Sequence, residues 1–331
     1  MLRIRPAITD DDLAEIARIV TTVLPDDPTS VEEMHWADTA YPGGRRFLAW
    51  LDGVAVGSGD VGRVYMYPPE FKGWWASICV LTDFRRQGIG SALLATVSDV
   101  SREAGKTLLV GRASSDRQET IDFLEHRGFR EHERMKVVRL ELAGVQRAAV
   151  EPPEGVIITS LAERPELVPA VYEVAREALP DIPGDGPKLP PTLEEFRMRD
   201  VDRPVTPPDA FILAIAADTG RVIGYANLQL VPGNPKVAWH GMTGVARDWR
   251  GRGVATALKR ATIGWAVAHG LDALGTANDT VNAPMRSVNR RLGYRPFPDD
   301  IDYRGPLWPR QPEQLAQPPR YVTATPEDVD R

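Results

Sequence analysis

The pattern of apolar and polar positions predicts the same order of elements twice along the chain. Each copy begins with a short strand and a helix, and a later apolar strand runs into a glycine-rich turn that opens an Ala/Leu-rich helix. The strands that enter the turns are predicted at 74–80 and 237–245, and the helices that leave them at 89–104 and 254–269. In the first copy a hairpin strand is predicted at 54–67. This interleaving of strands and helices indicates a mixed α/β fold, present twice.

The distance between the two copies predicts two domains. The glycine-rich turns lie 165 positions apart in a chain of 331 residues, and repetition at domain length indicates duplication. The first domain is expected at 1–148, where a strand at 137–142 closes it, and the second at 156–310. A stiff Pro-rich linker at 149–155 separates them, and a Pro-rich tail follows at 311–331.

Both turns have the residues of a backbone anion site. The second reads Arg250-Gly-Arg-Gly-Val-Ala255 and the first Arg85-Arg-Gln-Gly88-Ile-Gly90. Glycine adopts backbone angles that a Cβ disfavours, so several N–H groups can converge where the helix N-terminus adds roughly half a positive charge. A solvated glycine turn would explain one such hexapeptide, but a second copy makes chance a poor explanation. The spacing matches neither a P-loop nor GxGxxG, and it favours a pyrophosphate site of another kind.

An RxxGxG/A turn between a strand and an Ala/Leu-rich helix resembles the coenzyme A signature of the GNAT acyltransferases. The resemblance covers nearly the whole chain. It implies two tandem GNAT-like domains, each a mixed, mostly antiparallel sheet flanked by helices, in an arrangement similar to that of mycothiol synthase. It also implies acetyl-CoA as the cofactor and the primary amine of a small molecule as the acceptor. The cofactor-binding residues that it implies are Val80, Arg85, Arg86, Gln87, Gly88, Ile89, Gly90 and Ser91 in the first domain, and Gly244, Val245, Arg250, Gly251, Arg252, Gly253, Val254, Ala255, Thr256 and Asn282 in the second.

The segment at 278–294 resembles the family motif that faces the pantetheine and the thiol. Asn282 and Asn289 match its asparagine positions, whereas Arg117 stands where the first domain would carry the early one. The resemblance therefore implies that the second domain is catalytic. Many family members place a Tyr on this helix to protonate the thiolate, and Leu124 and Asn289 stand at that position here. A free thiol has a pKa near ~8.5, so unassisted departure, or a water held by Asn289, is chemically tolerable.

His240 is the expected general base, because it lies on the strand that feeds the second turn and an imidazole titrates near neutrality. Packing in the core is the alternative role for this histidine. Thr243 is expected to orient the base or a water, and a backbone N–H near Gly244 or Val245 to meet the oxyanion. In the first domain the matching strand offers Cys79, whose apolar neighbours favour core packing over nucleophilic chemistry.

Composition narrows the classes of function. The net charge of −6 with mixed signs argues against a nucleic-acid binder. A single cysteine suggests a reducing compartment, no apolar run approaches the ~20 residues of a membrane span, and five scattered histidines lack metal-ligand spacing. We expect a cytoplasmic, monomeric enzyme without a metal site. A non-catalytic acyl-CoA-binding sensor is an alternative, and so is an aminoacyl-tRNA-using enzyme of the same fold, which the acidic balance disfavours.

Overall fold

The computed structural model describes residues 1–145, 151–182 and 189–309. The predicted tail at 311–331 lies outside these ranges, as does the beginning of the predicted linker at 149–155. No helix within them is both long enough and apolar enough to cross a bilayer.

The first half of the chain begins with a strand and two helices and continues as a meander. Thr9 caps the first helix with a complete capping box. The strands are β1 (Leu2–Pro6), β2 (Arg45–Leu51), β3 (Val54–Arg63), β4 (Gly73–Val80), β5 (Leu108–Ser114) and β6 (Arg130–Glu141), and the helices are α1 (Asp10–Val23), α2 (Val31–Ala40), α3 (Ile89–Glu103) and α4 (Gln118–Glu125).

The second half repeats this order after the linker. Its strands are β7 (Val156–Ser160), β8 (Phe211–Ala216), β9 (Val222–Val231), β10 (Asn234–Val245), β11 (Ala273–Asp279), β12 (Arg295–Pro296) and β13 (Asp300–Pro306). Its helices are α5 (Val168–Ala178), α6 (Leu193–Phe196), α7 (Val254–Ala268) and α8 (Ala283–Arg291). The two helices that follow the glycine-rich turns, α3 and α7, are both 15 residues long.

All the strands of the described residues belong to one mixed sheet. Its order is β1-β2-β3-β4-β5-β13-β6-β11-β10-β9-β8-β7, with β12 paired to β6. Pairing is antiparallel throughout except between β4 and β5 and between β10 and β11, which are parallel. Helices cover both faces: Leu93 of α3 packs on one face of the first half and Ile16 of α1 on the other. The predicted mixed α/β fold, present twice in tandem with flanking helices, is confirmed, but the two expected sheets are joined into one.

The two halves exchange strands at their junction. The last strand, β13, lies between β5 and β6 of the first half and is antiparallel to both. Strand β6 continues beyond β13, and its residues 135–141 pair with β11 of the second half. Each half is therefore completed by a strand from the other.

Buried side chains hold β13 in the first half. Ile301 and Tyr303 are 2% and 1% exposed and belong to the same apolar cluster as Leu93. Gly305 lies directly under the ring of Phe129, and a Cβ at this position would overlap that ring. Only a residue without a Cβ fits beneath this ring, so β13 can pair at this position because residue 305 is glycine.

The structure corrects several predicted strands. The strand predicted at 137–142 to close the first half runs from Arg130 to Glu141 and joins the two halves instead. The strand predicted at 54–67 ends at Arg63. The strands β12 and β13 were not predicted, because a strand that pairs with a distant part of the chain has no local signal for its partner.

Candidate functional site

The sheet opens at matching places in the two halves. Strands β4 and β5 pair over Gly73–Trp75 and Leu108–Val110 and then diverge. Strands β10 and β11 do the same after Val237–Trp239 and Ala273–Gly275. Each pair leaves a V-shaped opening on the side of the following glycine-rich turn, where strand N–H and C=O groups lack a strand partner.

A β-bulge marks the opening of the second half. His240 is opposite Leu228 on β9 and Thr243 is opposite Ala226, so β10 contains one extra residue between them. The backbone N–H of Met242 donates to the side-chain oxygen of Asn227 at 2.8 Å, which holds the bulge. In the first half β4 pairs with β3 from Gly57 to Arg63 without any shift of register. The two openings therefore differ in their backbone.

Both glycine-rich turns form the expected concave backbone. Gly88 and Gly253 have φ of +83° and +85° and cap α3 and α7. Gly251 has φ of +75°, and at the matching position of the first turn Arg86 has φ of +63°, which is unfavourable for a side chain. The backbone N–H groups of residues 86–91 and 251–256 have no hydrogen-bond acceptor among the described residues. These are the donors that a helix N-terminus offers to an anion.

The turns have room for a phosphate group in front of these donors. A Cβ placed on Gly88 or Gly251 would meet nothing within 4 Å. One placed on Gly253 would meet Cγ of the linker residue Pro153 at 3.6 Å, an ordinary contact distance. The N–H groups and this open space fit the diphosphate of coenzyme A in both halves.

The first arginine of each turn is already engaged. Arg85 donates from Nε to the carbonyl of Val80 at 3.1 Å, and Arg250 donates from Nε to that of Val245 at 3.0 Å. Each also forms an ion pair, Arg85 with Glu119 at 2.9 Å and Arg250 with Asp181 at 2.8 Å. These arginines fix the end of the strand against the turn. The sequence suggested that their charges face the phosphates directly, and in this structure they face carboxylates.

Phe123 of α4 lies close to the first turn. Its ring would be 3.1 Å from a Cβ on Gly90, and the guanidinium of Arg127 stacks on it at 3.7 Å from the ring centroid. Arg127 also donates to the hydroxyl of Ser91 at 2.6 Å, so it links the end of α4 to the start of α3. Phe123 also lines a cavity on the far side of the opening, so it lies between this cavity and the first turn.

His240 lies where the second opening begins and is bonded to a tyrosine. Its Nε2 is 2.6 Å from the hydroxyl of Tyr294, and the side chain is buried. Burial, with the Lys259 ammonium nearby, holds the pKa of His240 well below its usual 6.5. Lys259 is 1% exposed, lies 5.3 Å from the centroid of the Tyr294 ring, and has its pKa lowered to about 7 by burial. His240 is therefore a neutral imidazole in a buried polar cluster.

The two asparagines expected to face the cofactor occupy different positions relative to α8. Asn282 caps the helix, since its side chain accepts from the N–H of Met285 at 3.3 Å. Asn289 is 1% exposed and donates to the side chain of Asn278 on β11 at 2.6 Å, and its own oxygen has no partner among the described residues. Asn289 is thus aligned by β11, next to the opening, with an acceptor still available.

The remaining predicted residues fall on the expected elements. Thr243, Gly244 and Val245 form the last part of β10 beyond the bulge. Cys79 is 2% exposed and packs with Ile16 of α1, and burial raises the pKa of its thiol to about 12. The prediction that Cys79 is a core residue is confirmed.

A large cavity lies where the two halves meet, on the face covered by α1 and α2. Its volume is about 870 Å³. It is bordered by Ser77 and Arg112 at the first opening, by Trp239 and Gly241 at the second, and by the loop that carries Asp27. Through the first opening it continues to Thr120 and Leu124 of α4. The cavity therefore connects the faces of the sheet at the first opening.

Asp60 is a cavity residue that sequence reasoning missed. It lies opposite Ser77 in the β3–β4 pair. Desolvation raises the pKa of its carboxyl to about 6, against a weaker opposing effect of Arg46. An aspartate inside the small, apolar strand sequence Val-Ala-Val-Gly-Ser-Gly-Asp is a signal that could have been noticed.

We expect Asp60→Asn to stabilise the protein at neutral pH. A carboxyl whose pKa is raised on folding lowers stability as the pH rises from about 4 to about 6, and the full cost, on the order of 2 kcal/mol, persists above that. The variant should melt a few degrees higher than wild type at pH 7.5 and at nearly the same temperature at pH 4. Thermal unfolding at both pH values measures this, with Asp26→Asn, from the same cavity wall, as control. An equal shift at both pH values would contradict the assignment.

The comparisons with known proteins agree with this geometry. The sequence profile of the acetyltransferase (GNAT) family matches residues 12–129 and again residues 169–294. The curated proteins include no significant match to the chain.

Solved structures resemble the chain over nearly its whole length. A tandem GNAT protein from the clavulanic acid biosynthesis pathway, solved without AcCoA, is 21% identical over 94% of this chain and 100% of its own, with a TM-score of 0.74. A GCN5-related N-acetyltransferase from Sphaerobacter thermophilus is 23% identical over 94% and 97%, with a TM-score of 0.68. A putative acetyltransferase from Pyrococcus horikoshii is 19% identical over 93% and 91%, with a TM-score of 0.56. At these identities the likeness concerns the fold.

Proposed function

The chain belongs to the GNAT family of acetyltransferases, and from this premise we propose that its second half transfers the acetyl group of acetyl-CoA to the primary amine of a small molecule. The family generally uses acetyl-CoA, and the chain is an N-acetyltransferase of this type with two tandem domains. The observation that carries the assignment to the second half is the bulge of β10 at the second opening, since β4 has none at the first.

The residues of the second turn would hold the cofactor. The unpaired N–H groups of residues 251–256 surround a space open to a diphosphate, and Arg252 adds a positive charge beside them. Arg250 fixes the turn to Val245, and Asn282 caps the helix on the other side of the opening. Acetyl-CoA, when bound, supplies a thioester that an amine can attack directly.

The backbone of β10 would stabilise the developing negative charge. Successive N–H groups of a strand point to opposite edges, so either Gly244 or Val245 directs its N–H into the opening. A fixed backbone donor aimed at a developing oxyanion contributes substantially to catalysis. The bulge lies directly before these residues, between His240 and Thr243, and changes the register of β10 against β9 by one residue, which supports this role.

His240 and Thr243 would handle the proton of the amine. His240 is a neutral imidazole at the narrow end of the opening, and its lowered pKa makes it a weak base that would pass the proton on rather than keep it. Its bond to Tyr294 fixes the orientation of the ring. No tyrosine stands at the usual acid position, and Asn289 would hold a water there with its free oxygen.

Deleting Gly241 tests the role of the bulge. The deletion removes the extra residue of β10 and restores one-to-one pairing with β9. We expect turnover of acetyl-CoA with a panel of small primary amines to fall about 100- to 1,000-fold, in the range for loss of one oxyanion donor. Calorimetric binding of acetyl-CoA to the turn should stay within a few-fold of wild type. Unchanged turnover would contradict the proposal, and tight binding without turnover in wild type would favour the acyl-CoA sensor.

A further inference from the structure

Asp60 and Asn227 occupy matching positions in the two halves. Gly57 is opposite Val80 at the end of β4, and Gly224 is opposite Val245 at the end of β10. Asp60 lies three residues after Gly57 on β3, and Asn227 lies three residues after Gly224 on β9. The oxygen of Asn227 is occupied by the bulge of the second half. The carboxylate of Asp60 lies opposite Ser77 and forms no ion pair with any described residue.

Asp60 lies at the edge of the first opening. Ser77, its partner across the strands, is two residues beyond Trp75, where β4 and β5 part. Both residues border the 870 Å³ cavity, which continues through the opening to Leu124. A small molecule that enters from the α1 side can therefore reach the space between β4, β5 and α4, directly past Asp60.

Three of the four arginines that line the cavity have carboxylate partners, whereas Arg117, which precedes α4, forms no ion pair with a described residue. Arg46 pairs with Asp38 at 2.6 Å, Arg112 with Asp302 at 2.6 Å, and Arg203 with Glu33 at 2.9 Å. Asp27, on the wall of the same cavity, is exposed and forms no ion pair with a described residue. The cavity carboxylates that form no ion pair with a described residue are Asp26, Asp27, Asp60 and Asp116. Of these, Asp60 lies on a strand beside the first opening, where it can attract a cation.

We propose that the first half is a second acyl-transfer site, in which Asp60 binds the ammonium group of a cationic acceptor and accepts its proton. The proposal rests on the use of acetyl-CoA by this chain and adds a site, a base and a substrate class. In the step, the ammonium first gives one proton to Asp60, and the resulting amine nitrogen bonds to the acyl carbon. The carbon–sulfur bond then breaks, and the second proton of the nitrogen passes to the departing thiolate, so that coenzyme A leaves as the thiol.

The surroundings of Asp60 suit this role. A carboxyl that titrates near 6 is ionised at pH 7 and is a stronger base than an ordinary aspartate. The unpaired N–H groups of residues 86–91 would hold the diphosphate, as in the second half. Phe123 lies between this turn and the cavity and has to turn aside for transfer, which makes the first half the slower site.

Binding of a simple diamine tests the amine site without any cofactor. Butane-1,4-diamine is titrated calorimetrically into Gly253→Glu protein, whose second turn is blocked, at pH 5 and pH 7.5. Because Asp60 is about one-tenth ionised at pH 5, the affinity should rise about tenfold at pH 7.5. Adding Asp60→Asn should weaken binding at pH 7.5 at least tenfold and abolish the pH dependence. Adding Asp26→Asn, on the same wall, should leave the affinity within about twofold.

Turnover in the same proteins separates the two sites. We expect Gly253→Glu to retain a few per cent of wild-type turnover with the diamine, and the added Asp60→Asn to remove it. Diamine binding that is absent, or that does not depend on Asp60, would overturn the proposal, as would residual turnover that survives Asp60→Asn. Complete loss of turnover in Gly253→Glu alone would overturn the transfer step. Full turnover in Gly253→Glu that is lost with Asp60→Asn would support this site and refute a catalytic second half.

Discussion

Replacing Gly253 with glutamate is expected to remove acetyl-CoA binding from the second half and most of the turnover of the protein. Gly253 has φ of +85° at the cap of α7, directly beside the unpaired N–H groups of the turn. A glutamate there places bulk and a negative charge where the diphosphate would lie. We expect at least a 100-fold loss of affinity at this site, which calorimetric titration of acetyl-CoA measures, together with a comparable loss of second-half turnover.

Two variants control this experiment. Gly253→Ala has the same unfavourable backbone angle, at a cost of about 1 kcal/mol, but adds neither bulk nor charge, so it should keep most of its binding. Gly88→Glu places the same charge at the matching cap of α3, where φ is +83°, and should remove binding from the first half while keeping most of the turnover. If Gly88→Glu abolished turnover and Gly253→Glu did not, the assignment of the two halves would be reversed.

Replacing Gly305 with alanine is expected to destabilise the protein strongly. The added Cβ would overlap the ring of Phe129. Gly305 is fixed by the pairing of β13, and Phe129 is buried in the core of the first half. Overpacking of this kind typically costs 1–3 kcal/mol, and we expect about 3 kcal/mol here because backbone and ring are both fixed. Thermal unfolding of the variant measures the loss, which should lower the melting temperature by several degrees.

A second substitution tests whether the contact between the strand and the ring causes the loss. In a Phe129→Ala background the same Gly305→Ala change should cost less than about 1 kcal/mol, although Phe129→Ala alone costs about 3–5 kcal/mol. Additive costs of the two substitutions would show that Gly305 and Phe129 do not meet, and would contradict the position of β13 inside the first half.

The glycine-rich turns could be predicted because their signal is local. Gly88 and Gly253 lie between an apolar strand and an apolar helix in the sequence itself, and the structure gives both the positive φ that this position requires. The ion-pair partners of Arg85 and Arg250 could not be predicted from the sequence. Their partners, Glu119 and Asp181, lie 34 and 69 positions away, and no periodicity relates them.

The exchange of strands and the role of Asp60 depend on contacts across the sheet. Ile301 and Tyr303 alternate with polar residues, and this pattern indicates a strand. The alternation does not indicate that this strand pairs with β5 of the first half. Asp60 becomes a candidate base through Ser77 on the next strand and through the cavity beyond it. His240 lies on β10, the strand that was expected to feed the second turn, whereas its bond to Tyr294 joins residues 54 positions apart and could not be predicted.

A crystal structure of the protein with coenzyme A would test the central claim most directly. We predict the diphosphate at the N–H groups of residues 251–256, with the thiol end in the second opening beside the bulge between His240 and Thr243. Coenzyme A that is found in the first turn alone, or that enters the second turn with its thiol directed away from β10, would contradict a catalytic second half.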